Sequence, residues 1–240
     1  IDPATGLLDL TDARAKITTK TKVILPVHLY GQSCDMDSIM TLAQEFGLMV
    51  VEDCAQAHGA EWRGRRVGTF GICGTFSFYP GKNLGAYGDG GAVVTNDDAL
   101  AHRIRMIANH GRTEKYNHEF EGRNSRLDAL QAAILSAKLK YLESWTNRRA
   151  EIAEVYRREL SGIADLTLPV INLGARHVFH LFVVRTSRRD ELQSHLKQAG
   201  IETGIHYPIA LTRLKAYKVT NQTTASDDLN EQIISLPIGE

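Results

Sequence analysis

The chain has 240 residues, of which 43% are hydrophobic and 23% charged, as expected of a globular protein with a sizeable core. Lys plus Arg and Asp plus Glu number 28 each, which argues against partners of the nucleic-acid or anionic-membrane class. The three cysteines form no C-x-x-C pair, so we expect no disulfide framework and no structural zinc site, and a reducing cytoplasm fits best. No apolar run approaches the roughly 18 residues that span a bilayer.

The first part of the chain predicts a βαβ unit. Residues 22–29 form a continuous apolar run, which is typical of a strand buried on both faces. Asp35 is placed to cap a helix that ends at Gly47, and a second strand covers residues 48–51. This order predicts parallel strands. Asp53 then lies at the carboxyl end of a strand, where open α/β sheets bind their ligands.

Two further strands, residues 74–79 and 91–95, flank a glycine-rich turn. The turn presents Lys82 from a loop between strands, and its glycines let the backbone approach a ligand closely. A helix is predicted over residues 98–109. A long helical pattern then runs almost unbroken over residues 127–160, as in helices that bridge two domains.

The last third of the chain predicts a small α/β domain. Its elements are a strand over residues 178–185, a helix over residues 189–199 and a further segment over residues 201–207. We therefore divide the chain into a large domain, residues 1–142, and a small domain, residues 143–240.

Three polar features suggest chemistry, although each has a structural interpretation when taken alone. Asp53 and His58 follow a buried strand, but Asp53 could cap the next turn and a histidine more often packs. Lys82 could be a solvated loop lysine. The turn at residues 122–126 has free N–H groups and arginines that suit an anion.

Neither a nucleotide fingerprint nor a metal site has good support. The glycine run lacks both G-x-G-x-x-G and G-x-x-x-x-G-K-[ST]. A metal site built from His28, Asp53 and His58 is conceivable, but no His-x-x-x-His spacing supports it, so we predict no metal.

Taken together, the motifs closely resemble one family, the DegT/DnrJ/StrS group of sugar-nucleotide aminotransferases. The resemblance covers essentially all 240 residues in the family's order and spacing. It implies an α/β protein of the fold-type I architecture, here with an incomplete large domain that has a mixed, mainly parallel sheet, and a smaller C-terminal α/β domain. The matching strings are residues 26–31, 52–60, 76–95 and 124–128, His206-Tyr-Pro208 and Ser235-Leu-Pro237.

The resemblance also implies the cofactor pyridoxal 5′-phosphate, held in the large domain, and a role for five residues. Lys82 forms the Schiff base with the cofactor and then acts as general base. Asp53 faces the pyridine nitrogen and keeps it protonated. Gln56 lies beside the ring near its phenolic oxygen, and Ser77 donates to the cofactor phosphate. Asn124 reaches the phosphate of the neighbouring subunit's cofactor, because the family works as a homodimer with active sites at the interface.

The implied reaction is transfer of an amino group, from a donor such as glutamate, to a 3- or 4-keto deoxy-sugar on a nucleoside diphosphate. The run at residues 82–91 resembles the subgroup that acts on 3-keto, dTDP-linked sugars. His206 and Tyr207 match the family's sugar pocket, while His28 and His58 either line the same cavity or simply pack.

Three alternatives remain. Relatives of the same fold that dehydrate sugars have histidine at the position of Lys82, so the lysine favours transamination. The sugar-type strings argue against a non-sugar aminotransferase. A non-catalytic fragment or interaction module is the third alternative.

The third alternative is supported by a difference in length. The family's chain begins well before the position of Ile1 and ends in a further helix beyond the position of Glu240. The preceding part supplies a helix N-terminus for the cofactor phosphate and an aromatic residue that stacks on the ring. A sheet without its early strands exposes apolar edges. We therefore expect the isolated 240-residue chain to bind the cofactor weakly or to fold poorly, and near-stoichiometric cofactor in the purified chain would contradict this.

Overall fold

The computed structural model describes residues 1–217 and 224–239. Its strands are β1 Val23–Ile24, β2 Met49–Asp53, β3 Glu61–Trp62, β4 Arg65–Arg66, β5 Cys73–Ser77, β6 Gly91–Val94, β7 Ala175–Arg176, β8 Phe182–Arg185 and β9 Ile233–Leu236. Its α-helices are α1 Leu10–Lys16, α2 Met36–Phe46, α3 Asp98–Ala108, α4 Ala129–Leu139, α5 Leu142–Glu159, α6 Arg189–Gln198 and α7 Thr224–Gln232. Among the described helices, none is both long and apolar enough to cross a membrane.

The central sheet has the strand order β1-β2-β5-β6. Strands β1, β2 and β5 are parallel, and β6 is antiparallel to β5. This confirms the mixed, mainly parallel sheet. Two antiparallel sheets accompany it, β4-β3-β7 and β8-β9.

The hydrophobic core consists of separate clusters. One lies between the central sheet and helices α1 and α2, and includes Ile24, Ile39 and Val50. Another, which includes Phe182 and Ile234, lies between β8, β9 and α5. The division between residues 142 and 143 stays a prediction, and β7, beyond that division, pairs with β3 before it.

Helix α2 begins and ends as the sequence predicts. The side chain of Asp35 accepts a hydrogen bond from the backbone N–H of Ser38 at 3.1 Å. Gly47 ends the helix with a φ of +63°, a left-handed conformation that glycine adopts without steric cost. The capping chemistry is local, which is why it can be identified in the sequence.

The predicted strand at residues 22–29 is wrong in two respects. Only Val23–Ile24 form a regular strand, because Pro26 has no N–H to donate to the ladder. Burial also alternates instead of covering both faces: Ile24 is buried, whereas Leu25 is 55% exposed. Within the described residues, the face that carries Leu25 has no covering layer.

The predicted helix at residues 127–160 is divided into α4 and α5 by a turn at Lys140 and Tyr141. No glycine or proline marks this break. A tertiary contact lies beside it instead, since Lys138 Nζ donates to the carbonyl of Gly85 at 2.6 Å. Such contacts leave no sequence signal.

A buried carboxylate holds the end of β2 in place. Glu52 is fully buried and accepts hydrogen bonds from the backbone N–H groups of Gly68, Phe70 and Gly71 at 2.6 to 2.8 Å. His28 Nε2 lies 3.2 Å from the same carboxylate. Burial by itself raises the pKa of Glu52, but the hydrogen bonds outweigh it and the pKa is lowered.

Replacing Glu52 with alanine leaves three backbone N–H groups and the ring of His28 without their acceptor. We expect the free energy of unfolding to fall by about 3 kcal/mol. Because the pKa of Glu52 lies below its ordinary value of 4.5, its contribution is present above that pH and is lost as the pH falls through the lowered pKa. The difference between the wild type and Glu52→Ala in urea titrations should therefore shrink on acidification.

Glu45→Ala is the matched control, since Glu45 pairs with Arg14 on the exposed surface of the protein. Exposed ion pairs contribute little, so this variant should change the urea midpoint far less than Glu52→Ala does. Equal losses in the two variants would contradict the role assigned to Glu52.

Candidate active site

The candidate site lies at the carboxyl edge of the central sheet. Asp53 is the last residue of β2, and Ser77 is the last residue of the neighbouring parallel strand β5, with Asp53 paired to Thr75 in the ladder. Parallel strands end at a common edge, which places both polar side chains there. Lys82 follows in the turn after β5.

The turn that carries Lys82 is compact. The N–H of Lys82 donates to the carbonyl of Tyr79 at 2.9 Å. A Cβ at Gly85 would lie 2.2 Å from the carbonyl oxygen of Pro80, so only glycine fits at that position. Gly85 is therefore required because the backbone of the turn passes close to itself. The turn places Lys82 just beyond the end of β5, at the edge of the sheet.

Lys82 and Asp53 interact electrostatically without a direct ion pair. The carboxylate of Asp53 accepts a hydrogen bond from the N–H of Ala55 at 2.9 Å. Burial lowers the pKa of Lys82, and the charge of Asp53 partly offsets this. In the described part of the chain, Lys82 Nζ has no hydrogen-bond or ion-pair partner. The amine is therefore free to react with a group that enters the site.

Gln56 belongs to a network that the sequence analysis found only in part. Its Oε1 accepts from the N–H of Tyr30 at 2.6 Å, and its Nε2 donates to Tyr207 Oη at 3.1 Å. Tyr30 Oη in turn donates to the carbonyl of His206. Tyr30 was missed because its neighbours in this network lie 26 and 176 residues away along the chain.

His58 packs against aromatic side chains and is close enough to Lys82 for the charge of the lysine to affect its pKa. Its ring is buried and lies 5.4 Å from that of Phe76. Burial lowers the pKa of His58 to about 4; a hydrogen bond with the backbone of Ser77 partly offsets this, and the charge of Lys82 adds to the lowering. Burial and Lys82 likewise lower the pKa of His206, whose Nδ1 lies 2.8 Å from Ser235 Oγ. Both imidazoles are therefore neutral at neutral pH.

His28 lies apart from this site. Its Nδ1 accepts from the N–H of Cys34 at 3.1 Å, so Nε2 carries the proton that faces Glu52. Successive residues of a strand point to opposite faces of the sheet, and Glu52 therefore points away from the face of Asp53. His28 packs inside the protein with Glu52 and does not face the edge at Lys82.

The cluster of His28, Glu52 and Cys54 has ligand atoms within 4.8 Å of one another. Both ring nitrogens of His28 and both carboxylate oxygens of Glu52 already have protein partners. A cation would have to displace those hydrogen bonds, so the arrangement is better explained as a structural network.

Asn124 is not brought to Lys82 within the chain. It lies in an exposed segment, pairs with Asn109 in an isolated bridge and accepts a hydrogen bond from Arg126 Nε at 3.1 Å. No contact among the described residues joins it to Lys82 or Asp53. Its predicted role toward a neighbouring subunit stays a prediction.

Two further residues next to Lys82 were missed by the sequence analysis. Asn83 is buried and shares a 3.0 Å hydrogen bond with His180 Nδ1. The two residues are 97 positions apart in the chain. Only the string that follows Lys82 could have suggested Asn83, and nothing local marks His180.

The fold is that of fold-type I aminotransferases. Residues 1–240 match the DegT/DnrJ/EryC1/StrS aminotransferase family, and the chain belongs to that family.

Named relatives agree with this assignment. The chain is 50% identical over 227 residues to a dTDP-3-amino-3,4,6-trideoxy-alpha-D-glucose transaminase of Streptomyces venezuelae, covering 93% of this chain and 60% of that protein. The crystal structure of S. venezuelae DesV superimposes with a TM-score of 0.96 at 48% identity, covering 99% of this chain and 65% of DesV. NtdA of Bacillus subtilis, with bound cofactor PMP, gives 0.90 at 31% identity, covering 100% of this chain and 57% of NtdA. The chain thus spans about 57 to 65% of the length of these relatives.

The electrostatic coupling of Asp53 and Lys82 can be tested without any cofactor. Asp53→Asn removes the charge that opposes the effect of burial, so the pKa of Lys82 should fall further. A larger fraction of the amine is then unprotonated at neutral pH, and acetic anhydride should acetylate Lys82 faster than in the wild type. Peptide mass spectrometry on cofactor-free protein measures this rate, with the exposed Lys20 as internal reference.

Asp89→Asn is the matched control for that measurement. Asp89 is an exposed carboxylate just before β6 and makes no ion pair with a described residue. It should leave the acetylation rate of Lys82 unchanged. A rate that is equally unchanged in Asp53→Asn would show that the two side chains do not interact.

Proposed function

We propose that the natural polypeptide carrying this sequence is a pyridoxal 5′-phosphate-dependent aminotransferase. It transfers an amino group, from a donor such as glutamate, to a keto-sugar carried on a nucleoside diphosphate. The observation that carries the proposal is the placement of Lys82 in the turn after β5, beside the parallel strand that ends at Asp53, with no partner for its amine among the described residues.

The residues around Lys82 fit such a cofactor. His58 is buried close to Lys82, whose charge helps to keep its ring neutral. The hydroxyl of Ser77 accepts a hydrogen bond from the N–H of Tyr79, and no described acceptor takes its proton. Lys82 Nζ is also unpaired. A polar group bound at this edge of the sheet would give partners to the amine of Lys82 and the hydroxyl of Ser77.

The cofactor, when bound, supplies an aldehyde carbon for amine exchange and a protonated ring that withdraws electrons. The chain's own residues prepare for this. The lowered pKa of Lys82 increases the fraction of free amine, which would serve first as nucleophile and then as the base that moves a proton. Asp53, held by the N–H of Ala55, would hold the proton on the ring nitrogen. Gln56 is fixed at both ends of its amide, so it would present a constant face to a ring bound beside it.

Support for the substrate class comes from the family and from the relatives. The S. venezuelae relative is named for a 3-amino sugar, which agrees with the resemblance of residues 82–91 to 3-keto-specific enzymes. We therefore favour a 3-keto, dTDP-linked sugar. His206 and Tyr207 are the residues we assign to its pocket. The described cysteines are all free and buried, and we place the reaction in the cytoplasm.

The central test replaces Lys82 with alanine in the natural polypeptide. Wild-type protein mixed with pyridoxal phosphate should develop a visible absorbance band that shifts when glutamate is added. Lys82→Ala should lack the band and lose at least about 10³-fold in turnover of keto-sugar nucleotides, because one side chain serves as nucleophile and base.

Lys20→Ala, a change at an exposed lysine outside the site, should keep both the band and the activity. A wild-type protein that develops no band would exclude the aminotransferase and favour the non-catalytic interaction module. A band that persists in Lys82→Ala would assign the covalent role to another lysine.

The proposal includes a homodimer whose active sites draw residues from both subunits. Asn124 lies in a surface segment that leads into α4, and Leu130 at the start of that helix is 70% exposed. A partner subunit would bury this segment and bring Asn124 to the partner's cofactor phosphate.

Subunit mixing tests the shared site. Asn124→Asp places a negative charge against the cofactor phosphate and should reduce activity strongly. Coexpression of Lys82→Ala and Asn124→Asp chains produces hybrid dimers in which one site has both residues intact, so about a quarter of wild-type activity should return. Asn117→Asp, in the same exposed segment, is the control and should remain active. Failure of the mixture to recover would place Asn124 outside the partner's site.

A further inference from the structure

The side-chain amide of Asn83, the residue after Lys82, is bound at both ends by one short segment. Its Nδ2 donates to the carbonyl of Val178 at 3.1 Å, and its Oδ1 accepts from His180 Nδ1 at 3.0 Å. Asn83 is only 6% exposed, so these bonds are shielded from water. The segment belongs to the C-terminal part of the chain and leads directly into β8.

The residue between the two partners has an unusual backbone. Phe179 has a φ of +44°, in the left-handed region that side chains other than glycine rarely adopt. Its N–H donates to His177 Nδ1 at 2.9 Å, and its ring stacks on that of His177 with the ring centres 4.0 Å apart. The left-handed turn allows the carbonyl before Phe179 and the ring after it to bind the same amide. Strained residues of this kind persist where the surrounding packing maintains them, often at functional sites.

The hydrogen bonds also define the protonation of His180. Asn83 Nδ2 is committed to a carbonyl, so Oδ1 is an acceptor and His180 Nδ1 carries the proton. Burial, with the charges of Lys82 and Arg149, lowers the pKa of His180 to about 3. The ring is therefore neutral near neutral pH, and the bond to Asn83 does not depend on pH there.

The same segment touches the rest of the site. The N–H of Val178 donates to the carbonyl of Gly31 at 3.0 Å. A Cβ at Gly31 would lie 2.9 Å from the backbone nitrogen of His180 and 3.2 Å from the carbonyl of Gln56. Residues 178–180 are thus packed between the Lys82 turn and the turn that orients Gln56. A shift of this segment would therefore move both turns.

We propose that Asn83 and His180 form a clamp that positions the Lys82 amine by tying its turn to the segment that leads into β8. The inference rests on the proposed aminotransferase function and adds two positioning residues to it. A flexible turn would leave the amine within reach of the cofactor but misplaced for proton transfer. A misplacement of about 1 Å is enough to cost on the order of 100-fold in rate.

The test uses three variants of the natural polypeptide with pyridoxal phosphate bound. Asn83→Ala and His180→Leu each remove the clamp and should lower kcat by about 10- to 100-fold with little change in KM. Both should also shift the pH midpoint of the visible absorbance band, which reports the environment of the Lys82 nitrogen. In His180→Asn, the amide can place a donor where Nδ1 was, and this variant should recover most of kcat and the wild-type midpoint.

The double variant and a surface control complete the design. Asn83→Ala combined with His180→Leu should lose no more kcat than Asn83→Ala alone, because that single variant already removes the bond to His180. His195→Leu, at an exposed position in α6, should match the wild type.

Unchanged kcat and pH midpoint in folded Asn83→Ala and His180→Leu would overturn the clamp, as would additive losses or no recovery in His180→Asn. Those results would leave the proposed function intact if the band still depends on Lys82. Absence of that band in the wild type would refute the proposed function itself.

Discussion

The buried carboxylate of Glu52 is the interaction on which the geometry of this protein depends. It accepts three backbone N–H groups from residues 68–71 and faces His28, so it joins the end of β2 to the turn before β5. Those two strands carry Asp53 and Ser77 at their carboxyl ends. A buried charge is tolerated only where its hydrogen-bonding capacity is met, and here it is met by the backbone that must be held in place.

The site assembled on this frame combines rigid supports with one unpaired amine. Gln56 and Asn83 are each bound at both ends, one by Tyr30 and Tyr207 and the other by residues 178–180. Lys82 Nζ, in contrast, has no hydrogen-bond or ion-pair partner among the described residues. The neighbouring imidazoles are neutral because burial and the charge of Lys82 both disfavour their protonation. The chain thus keeps an unpaired amine among fixed neighbours, as the proposed amine-exchange chemistry would require.

Membership of the DegT/DnrJ/EryC1/StrS family and the geometry of the site support each other. The resemblance to the family predicts roles for Lys82 and Asp53, and the charge of Asp53 partly offsets the effect of burial on the pKa of Lys82. The chain spans about 60% of the length of the S. venezuelae relative. Leu25, directly after β1, lies on an exposed face that no described residues cover.

The sequence by itself determined the features whose causes are local. Capping at Asp35 and Gly47 defined helix α2, the order of apolar segments predicted the parallel strands, and the matching strings identified the family. The tertiary structure decided what depends on residues far apart in the chain. Tyr30, the partnership of Asn83 with His180, and the break between α4 and α5 all arise from contacts across many residues. Periodicity and capping report only on neighbours within a few positions, so no local pattern could have revealed them.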